Sequence, residues 1–322
     1  MKPHPKLLLL DRRLDVDLLQ EMDLSKAQIA VTGATGFLGR YIVDALLRRG
    51  TKVVGVVRNT SRVPELLAKG VEMRKADLRQ RDQMAQGFVG VDAVVSNAAL
   101  FSLHNRNWED HFETNIQGTQ NIFDAMIDVG VRRIIHISST AVYQKFLGER
   151  ATEDHPKLSR KKWRWGLGTY AASKAFSEQR AWELAEEHRL QLTVIRPGGI
   201  YGAFDSNLTS IVKRMMRWPI APVPVFTRLS FVYAGDVAEA IALALEKPIA
   251  IGKAYNVTGE EQTIWQFLKA WKEAGGKSPM IKIPFPFPYR WLFDNNRAKK
   301  DLGWGNSSYV DGLKDTFAQE PD

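Results

Sequence analysis

Residues 168–178 read GTYAASKAFSE, and in this stretch Tyr170 and Lys174 stand four positions apart. Four residues are just over one turn of an α-helix, so the two side chains are expected to lie side by side on one helix face. An ammonium group near a phenol stabilises the phenolate and lowers the phenol pKa from its usual value of ~10. The pair could therefore do acid–base chemistry. Two polar residues without a catalytic role can have the same spacing on a helix surface. The spacing alone therefore does not distinguish a catalytic pair from an incidental one.

A glycine-rich turn follows the first apolar run, in the stretch VTGATGFLGR. Gly33, Gly36 and Gly39 are three residues apart and open a helical pattern. Glycines at such a turn permit a close approach of the backbone to a ligand, and a helix N-terminus offers free N–H groups to a pyrophosphate. The spacing differs from the commoner G-x-G-x-x-G fingerprint, but its place between a strand and a helix favours a dinucleotide-binding site.

The end of the second apolar run favours one form of the dinucleotide. An acidic residue there would bind the ribose 2′-hydroxyl of NAD, but the run VVGVVRNTSR ends in Arg58. Arg62 and Arg40 add two guanidinium groups, which suit a 2′-phosphate. We therefore expect NADP in preference to NAD, with an ordinary charged surface as the alternative reading of these arginines. Asp77, in the segment ADL, is placed where it could bond the adenine.

Apolar runs and helical patterns alternate through the first two thirds of the chain. Continuous apolar strands that alternate with helices are typical of a parallel sheet covered on both faces, so the fold class is predicted to be α/β. The apolar runs are at 28–32, 52–57, 92–96, 132–138 and 191–196, and the helical patterns are at 37–49, 111–129 and 170–188.

After residue 202 this alternation loosens, which indicates a smaller lobe built over the first domain. We predict an N-terminal extension at 1–26, a dinucleotide-binding domain at 27–202 and a mainly substrate-binding lobe at 203–322. Segments near 230–257 are expected to return to the first domain. In the extension, Leu14, Leu18 and Met22 recur every four residues, as in a short amphipathic helix.

Composition and charge exclude several other classes of protein. The chain has 322 residues, 44% hydrophobic and 25% charged, as in ordinary globular domains. It has no cysteine, and its six histidines show no ligand spacing, so we expect no metal and a reducing, cytoplasmic location. The N-terminus fits no signal peptide, and no stretch approaches the ~20 apolar residues of a membrane span. The net charge of +9 fits an anionic small ligand as well as nucleic acid; we expect the small molecule.

The motifs, in their order along the chain, resemble those of the extended short-chain dehydrogenase/reductase family. The resemblance covers about residues 28–318 and implies a Rossmann-type doubly wound parallel sheet with a smaller C-terminal substrate lobe. Because many members are dimers, it also implies a homodimer. The motifs are TGATGFLG, NAA at 97–99, NIQGTQN at 115–121, ISSTAVY at 137–143, Tyr170 with Lys174, RPGGIYG at 196–202 and RAKKDLGW at 297–304.

The resemblance implies catalytic roles for four residues. Tyr170 would pass a proton to or from a substrate oxygen while hydride moves to or from the nicotinamide, and Lys174, with the oxidised nicotinamide, would lower the tyrosine pKa and hold the ribose. Ser139 aligns with the family's catalytic serine or threonine, and the neighbouring Thr140 leaves a one-residue shift open. Asn115 is similar to the family's helix asparagine, in which a proton relay and a structural role both remain open.

Cofactor contacts follow from the same resemblance. Asn97, Ala98 and Ala99 would line the cofactor, and Pro197 and Gly198 would border the nicotinamide. The predicted cofactor-binding residues are Gly33, Thr35, Gly36, Phe37, Leu38, Gly39, Arg40, Arg58, Asp77, Leu78, Asn97, Ala98, Ala99, Tyr170, Lys174, Pro197 and Gly198.

The substrate is expected to be apolar. A long segment, 145–168, separates the serine from the tyrosine, and aromatic residues and methionines are predicted to form the substrate wall. These residues are Phe101, Trp163, Trp165, Met215, Met216, Trp218 and Phe226. The predicted function is hydride transfer between a nicotinamide and a secondary alcohol or ketone, of steroid-like or ketone type.

Two other functions remain open. The first is a nucleotide-sugar epimerase or dehydratase, for which four basic residues would supply contacts: Lys213, Arg214, Arg217 and Arg228. Against a dehydratase, Thr140 and Ala141 stand where an acidic pair is usual. The second is a non-catalytic NADP-binding scaffold, which would be expected to have lost Tyr170 or Lys174.

Overall fold

The computed structural model describes residues 20–60, 64–101, 107–144, 149–158 and 168–320. Leu14 and Leu18 of the expected N-terminal helix lie outside these residues, and Met22 lies in an irregular segment that packs against the core. Arg62, Trp163 and Trp165 also lie outside the described residues.

The strands are short, and those with continuous apolar sequence are buried. In chain order they are β1 (Gln28–Thr32), β2 (Lys52–Val57), β3 (Glu72–Lys75), β4 (Ala93–Ser96), β5 (Arg133–Ile137), β6 (Arg150–Ala151), β7 (Gln191–Pro197), β8 (Ile200–Tyr201), β9 (Ile220–Pro224), β10 (Arg228–Leu229), β11 (Val232–Tyr233), β12 (Lys253–Val257), β13 (Gln262–Thr263), β14 (Ile281–Phe285) and β15 (Arg290–Phe293).

The helices alternate with the first strands and dominate the end of the chain. They are α1 (Phe37–Leu47), α2 (Pro64–Ala68), α3 (Arg81–Gly87), α4 (Trp108–His111), α5 (Gly118–Asp128), α6 (Gly168–His188), α7 (Leu208–Met216), α8 (Ala234–Glu246), α9 (Ile264–Glu273), α10 (Asn296–Leu302) and α11 (Tyr309–Gln319). A π-helix spans Phe112–Gln117, and 3₁₀ turns span Thr140–Val142 and Pro248–Ala250.

Seven parallel strands form the main sheet in the order β12-β7-β5-β4-β1-β2-β3. Helices α1 and α8 cover one face, and α3, α5 and α6 cover the other. The predicted doubly wound α/β fold is confirmed. The strand order reverses between β1 and β4, and in such sheets a ligand crevice opens beyond the carboxyl ends of the strands at that point.

Two features of this sheet differ from the pattern read in the sequence. Strand β3 was not predicted, because its residues Glu-Met-Arg-Lys lack an apolar run and occupy the sheet edge. The helix predicted at 111–129 is divided into α4, the π-helix and α5. Strand β12, which lies within the segment 230–257, joins the main sheet beside β7.

Helices α7, α9 and α11 and the short strands build a lobe over the carboxyl ends of the main strands. Its core is aromatic and includes Tyr201, Phe267, Trp271 and Tyr309. Short sheets complete the lobe, in the pairings β13-β10-β15-β6, β11-β8 and β14-β9.

The turn from β1 into α1 leaves no room for side chains at two glycines. Gly33 has a φ of +65°, in the left-handed region that favours glycine, and a Cβ there would lie 3.0 Å from the Cα of Ala98. A Cβ on Gly39 would lie 2.1 Å from the carbonyl oxygen of Gly33 and 2.9 Å from the backbone of Ala34. The first turn of α1 is therefore packed directly on the backbone that precedes it.

A buried ion pair joins α6 to the main sheet. Arg196 on β7 and Glu178 on α6 are both buried, with Arg196 Nη2 and Nε at 2.6 and 2.9 Å from the two carboxylate oxygens. Ser138 Oγ donates to the same carboxylate at 2.6 Å, and Lys157 Nζ donates to it at 2.8 Å. Burial alone would raise the pKa of Glu178, but Arg196 and Lys157 outweigh it and hold that pKa well below its usual value.

We predict that Glu178→Gln destabilises the protein by about 3 kcal/mol, because it leaves the buried Arg196 guanidinium without its counter-ion. Glu183→Gln, on the same helix, removes an exposed ion pair with Arg180 and keeps an oxygen that can accept from Gln179, so it should cost less than about 1 kcal/mol. Urea unfolding of the two variants compares these costs directly. Equal losses of stability would contradict the role given to Glu178.

Gly39→Ala is predicted to lower the free energy of unfolding by about 1–3 kcal/mol, because its Cβ meets backbone atoms that cannot move without opening the turn. The control is Gly305→Ala, where a Cβ meets nothing within 4 Å. Thermal or urea denaturation measures both. A Gly39→Ala protein as stable as the Gly305→Ala protein would show that the turn is not tightly packed.

Candidate active site

One cavity of about 1060 Å³ opens between the carboxyl ends of the main strands and the lobe. This volume is at the upper end of the ~300–1,000 Å³ usual for ligand sites, so it can hold more than one small molecule. The cavity brings together most of the residues singled out in the sequence: Gly33, Thr35, Gly36, Phe37, Leu38, Arg58, Asp77, Leu78, Asn97, Ala98, Ala99, Ser139, Tyr170, Lys174, Pro197 and Gly198.

Three of the predicted site residues do not line this cavity. Gly39 packs beneath the turn, as described above. Arg40 points away from the cavity, with its guanidinium paired with Glu65 and lying 5.0 Å from the ring centroid of Phe204. Asn115 is buried behind the cavity.

The glycine turn has the form that a dinucleotide requires. Helix α1 begins after Gly36 with no acidic residue in its first turn, and no side chain caps its first N–H groups. The backbone of Gly33 approaches that of Ala98, which follows β4, and both residues line the cavity together with the first residues of the helix. Unpaired N–H groups and the positive end of the helix dipole are a ready anion site, so Gly33–Leu38 fit a pyrophosphate.

Tyr170 lies near the start of α6 and faces the cavity beside Ser139. Ser139 acts on the Tyr170 phenol as a hydrogen-bonding neighbour that lowers its pKa, and Ser139 Oγ accepts a bond from the N–H of Ala141 at 3.1 Å. The ring of Phe101 packs edge-on against Tyr170, with 4.8 Å between ring centroids. Thr140 also lines the cavity, but Ser139 is the hydroxyl that acts on the tyrosine.

Burial raises the pKa of Tyr170 to about 12, against the opposing effect of its hydrogen bond with Ser139. The lowered pKa expected from Lys174 together with the oxidised nicotinamide is not seen in the protein alone, where the ammonium of Lys174 is directed elsewhere. Lys174 Nζ donates to the carbonyl oxygen of Ile137 at 2.5 Å. Burial lowers the pKa of Lys174 to about 8, although Glu178 one turn further along the helix opposes this.

Asn115 holds together the backbone and helix that surround Tyr170. It lies in the π-helix, a distortion that is frequent at functional sites. Its side chain accepts from the N–H of Leu100 at 2.7 Å and donates to the carbonyl oxygen of Leu100 at 3.1 Å. It also donates to Ser173 Oγ at 2.9 Å. These bonds fix the segment before Phe101 against α6.

Two guanidinium groups stand at the end of the cavity formed by β2 and β3. Arg58 is exposed there, and Arg79, which the sequence analysis did not identify, lines the same end. Arg79 binds Asp77 through two hydrogen bonds of 3.1 and 2.8 Å and holds the pKa of that carboxyl below its usual value. The Asp77 carboxylate is thus engaged by a neighbouring cation.

The lobe side of the cavity is apolar but is built from different residues than predicted. Of the described wall candidates only Phe101 lines it; Met216 is in the lobe core, and Trp218 and Phe226 are exposed. Met215 packs against the lobe core. The apolar lining from the lobe is Leu208, Ile211, Leu229, Phe231, Tyr289 and Trp291. Leu208 and Ile211 lie on α7, whereas the other four lie in short strands and loops that give no periodic pattern in the sequence.

The described residues hold no cluster of three or more His, Asp or Glu side chains that could bind a metal ion. Within the same parts of the chain, no helix is both long and apolar enough to cross a bilayer.

Known proteins are similar to this chain in sequence and in fold. It is 32% identical over 258 residues to sterol demethylase protein B of Methylococcus capsulatus, covering 79% of this chain and 76% of that protein. It is 29% identical to a Stigmatella aurantiaca protein named 4-hydroxy-2-methyl-3-oxo-4-farnesyl-3,4-dihydroquinoline-1-oxide ketoreductase, covering 79% and 75% of the two chains.

Among solved structures, the UDP-glucose 4-epimerase of Thermotoga maritima with UDP-glucose superposes with a TM-score of 0.76 and 25% identity. The superposition covers 90% of this chain and 97% of the epimerase. Residues 29–258 match the sequence profile described as the NAD dependent epimerase/dehydratase family. The chain therefore belongs to the NAD-dependent epimerase/dehydratase family, whose members resemble the extended short-chain dehydrogenases/reductases and use a nicotinamide cofactor.

Proposed function

We propose that the protein is an NADP-dependent oxidoreductase that interconverts an apolar ketone and its secondary alcohol. The observation that carries this proposal is the composition of the lobe side of the cavity. Among the described residues that line it there, six are large and mainly apolar, three are polar or acidic (Asp205, Asn207 and Ser230), and none is Lys or Arg. A neutral apolar molecule fits such a surface, whereas the diphosphate of a nucleotide sugar requires cationic partners.

The catalytic residues are proposed to be Tyr170, Ser139 and Lys174. When bound, the nicotinamide supplies the hydride to the carbonyl carbon. Tyr170, which is protonated at neutral pH with its pKa near 12, gives its proton to the carbonyl oxygen. The Ser139 hydroxyl, which acts on the Tyr170 phenol, would orient the same oxygen.

Lys174 and Asn115 are proposed to support that step in different ways. Lys174 lies one turn from Tyr170 and lines the cavity, where its side chain can reach a nicotinamide ribose. Asn115 acts as a positioning residue, because its three hydrogen bonds fix Leu100 and Ser173 around the tyrosine. A proton relay through Asn115 stays a prediction.

The preference for NADP rests on the two arginines at the adenosine end. Arg58 ends β2 where an acidic residue would select NAD, and Arg79 lies across the same opening. Their guanidinium groups suit a 2′-phosphate. The Asp77 carboxylate is hydrogen-bonded by Arg79, so it offsets the charge of Arg79 but leaves that of Arg58 in place. Arg40 is paired with Glu65, so we do not assign it a contact with the 2′-phosphate.

The relatives give independent support for a lipophilic ketone. One is named as a ketoreductase of a farnesyl-bearing dihydroquinoline oxide, and another as a sterol demethylase protein. The alternative is a nucleotide-sugar epimerase, as in the superposed structure with UDP-glucose. The four basic residues expected to serve that function do not line the cavity: Lys213, Arg214, Arg217 and Arg228. A homodimer and a cytoplasmic location stay predictions.

Tyr170→Phe is predicted to reduce ketone turnover by at least about a hundredfold, because the proton donor is removed, while NADPH binding is retained. The matched control is Tyr255→Phe, whose hydroxyl bonds Asp301 away from the cavity. Turnover with an apolar ketone and fluorescence titration of NADPH give the two readouts. If Tyr170→Phe turned over like the control, the assignment of the proton donor would be wrong.

Arg58→Ala is predicted to weaken NADPH binding by about tenfold to a hundredfold and NADH binding by much less, because one charge-assisted bond to the 2′-phosphate is lost. Arg81→Ala, which breaks an exposed pair with Asp128 outside the cavity, is the control. Titration of each variant with both cofactors measures the difference. Equal weakening of NADPH and NADH by Arg58→Ala would contradict the NADP preference.

A further inference from the structure

An apolar sheet face on the lobe is open to solvent. Strands β9 and β14 pair in parallel so that Ile220 lies beside Ile281, and Pro222 lies beside Ile283. Paired residues on neighbouring strands project from the same side of a sheet. The three isoleucines are about half exposed, between 47 and 54%. The alternate residues of β9 are buried in the lobe, so the apolar side faces outward.

The outward side continues as a row of aromatic rings that ends in the cavity. Phe285 and Phe287 lie 6.4 Å apart between ring centroids, Phe287 stacks on Tyr289 at 6.1 Å, and Tyr289 stacks on Trp291 at 6.1 Å. Phe287 is 52% exposed, whereas Tyr289 and Trp291 line the cavity. We call the outward residues the apolar face: Ile220, Pro222, Ile281, Ile283, Phe285 and Phe287.

The segments that build the apolar face carry positive charge only. Residues 206–229 and 274–293 contain seven Lys and Arg residues and no Asp or Glu. Arg214 and Arg217 are exposed just before β9, and Lys277 is exposed just before β14. Arg228 pairs with a carboxylate from outside these segments, that of Glu261. The seven residues are Lys213, Arg214, Arg217, Arg228, Lys277, Lys282 and Arg290.

We propose that the apolar face docks on an anionic lipid bilayer surface. Exposed apolar side chains rimmed by Lys and Arg bind such surfaces by inserting into the headgroup boundary and by attraction to anionic lipids. A second copy of the chain is a poorer partner, because a two-fold interface would bring these cations against one another. No membrane-spanning helix is needed for this attachment, and none is found in the described residues.

The aromatic row gives this docking a consequence for the substrate. A ketone dissolved in the bilayer could leave it at Phe285 and Phe287 and reach the cavity along Tyr289 and Trp291 without crossing water. This part rests on the proposed function. The docking itself does not, since it depends only on the apolar face and its charges.

The test is co-sedimentation of the full chain with phosphatidylcholine vesicles, with and without phosphatidylserine, at low and high salt and without cofactor. The wild-type protein is expected to bind the anionic vesicles and to be released by salt. Ile281→Ser/Ile283→Ser should weaken binding by at least about tenfold, and Arg214→Gln by about fivefold. Val89→Ser/Leu67→Ser, at two exposed apolar positions outside the lobe, is the matched control and should bind like wild type.

Three results would overturn the proposal. The first is that the Ile281→Ser/Ile283→Ser protein binds vesicles as well as the control does. The second is that the wild-type protein binds neutral and anionic vesicles equally. The third is that light scattering shows the wild-type protein to be a dimer and the double variant to be a monomer. Unchanged melting temperature and NADPH affinity of the double variant exclude unfolding as the cause of lost binding. Ketone reduction without vesicle binding would overturn only the docking, and vesicle binding without ketone reduction only the proposed function.

Discussion

The buried pair of Glu178 and Arg196 is the interaction on which the site depends. A buried carboxylate is tolerated only where cations and hydrogen bonds compensate its charge. Because the partners of Glu178 are attached to β7 and to the end of β5, the pair fixes the position of α6 along these two strands. That position places Tyr170 and Lys174, which lie earlier on the same helix, opposite the end of β5 that carries Ser139. The same carboxylate also raises the pKa of Lys174 against the effect of burial.

The cavity has two ends of opposite character, and this difference supports both parts of the proposed chemistry. At the main sheet, free helix N–H groups and the guanidinium groups of Arg58 and Arg79 suit an anionic dinucleotide. At the lobe, rings such as Phe231 and Trp291 offer area but no charge. Between them stands Tyr170, whose raised pKa keeps a proton available beside the apolar half.

The main sheet was predictable because β1, β2, β4, β5 and β7 are continuous apolar runs, each bounded by turn residues or helical patterns. Strand β3 was not, because edge pairing of Glu-Met-Arg-Lys leaves no apolar pattern.

In the site, Tyr170 and Ser139 were found because local motifs mark them. Neither the lobe lining nor Arg79 was predicted, since the lining is drawn from one face of α7, short strands and loops that meet only in the folded chain, and a lone arginine gives no periodic signal. The raised pKa of Tyr170 in the protein alone was not predictable, because it depends on which carbonyl receives the Lys174 ammonium, a tertiary contact. The lowering of that pKa by the oxidised nicotinamide stays a prediction.

The most direct test follows the absorbance of reduced nicotinamide while the protein is incubated with NADPH and a panel of apolar ketones, and in parallel with NAD and UDP- or GDP-sugars. The account predicts net consumption of NADPH with ketones and formation of the secondary alcohol, with no conversion of the sugars. Conversion of a nucleotide sugar with no net change in the cofactor would contradict it and would identify an epimerase.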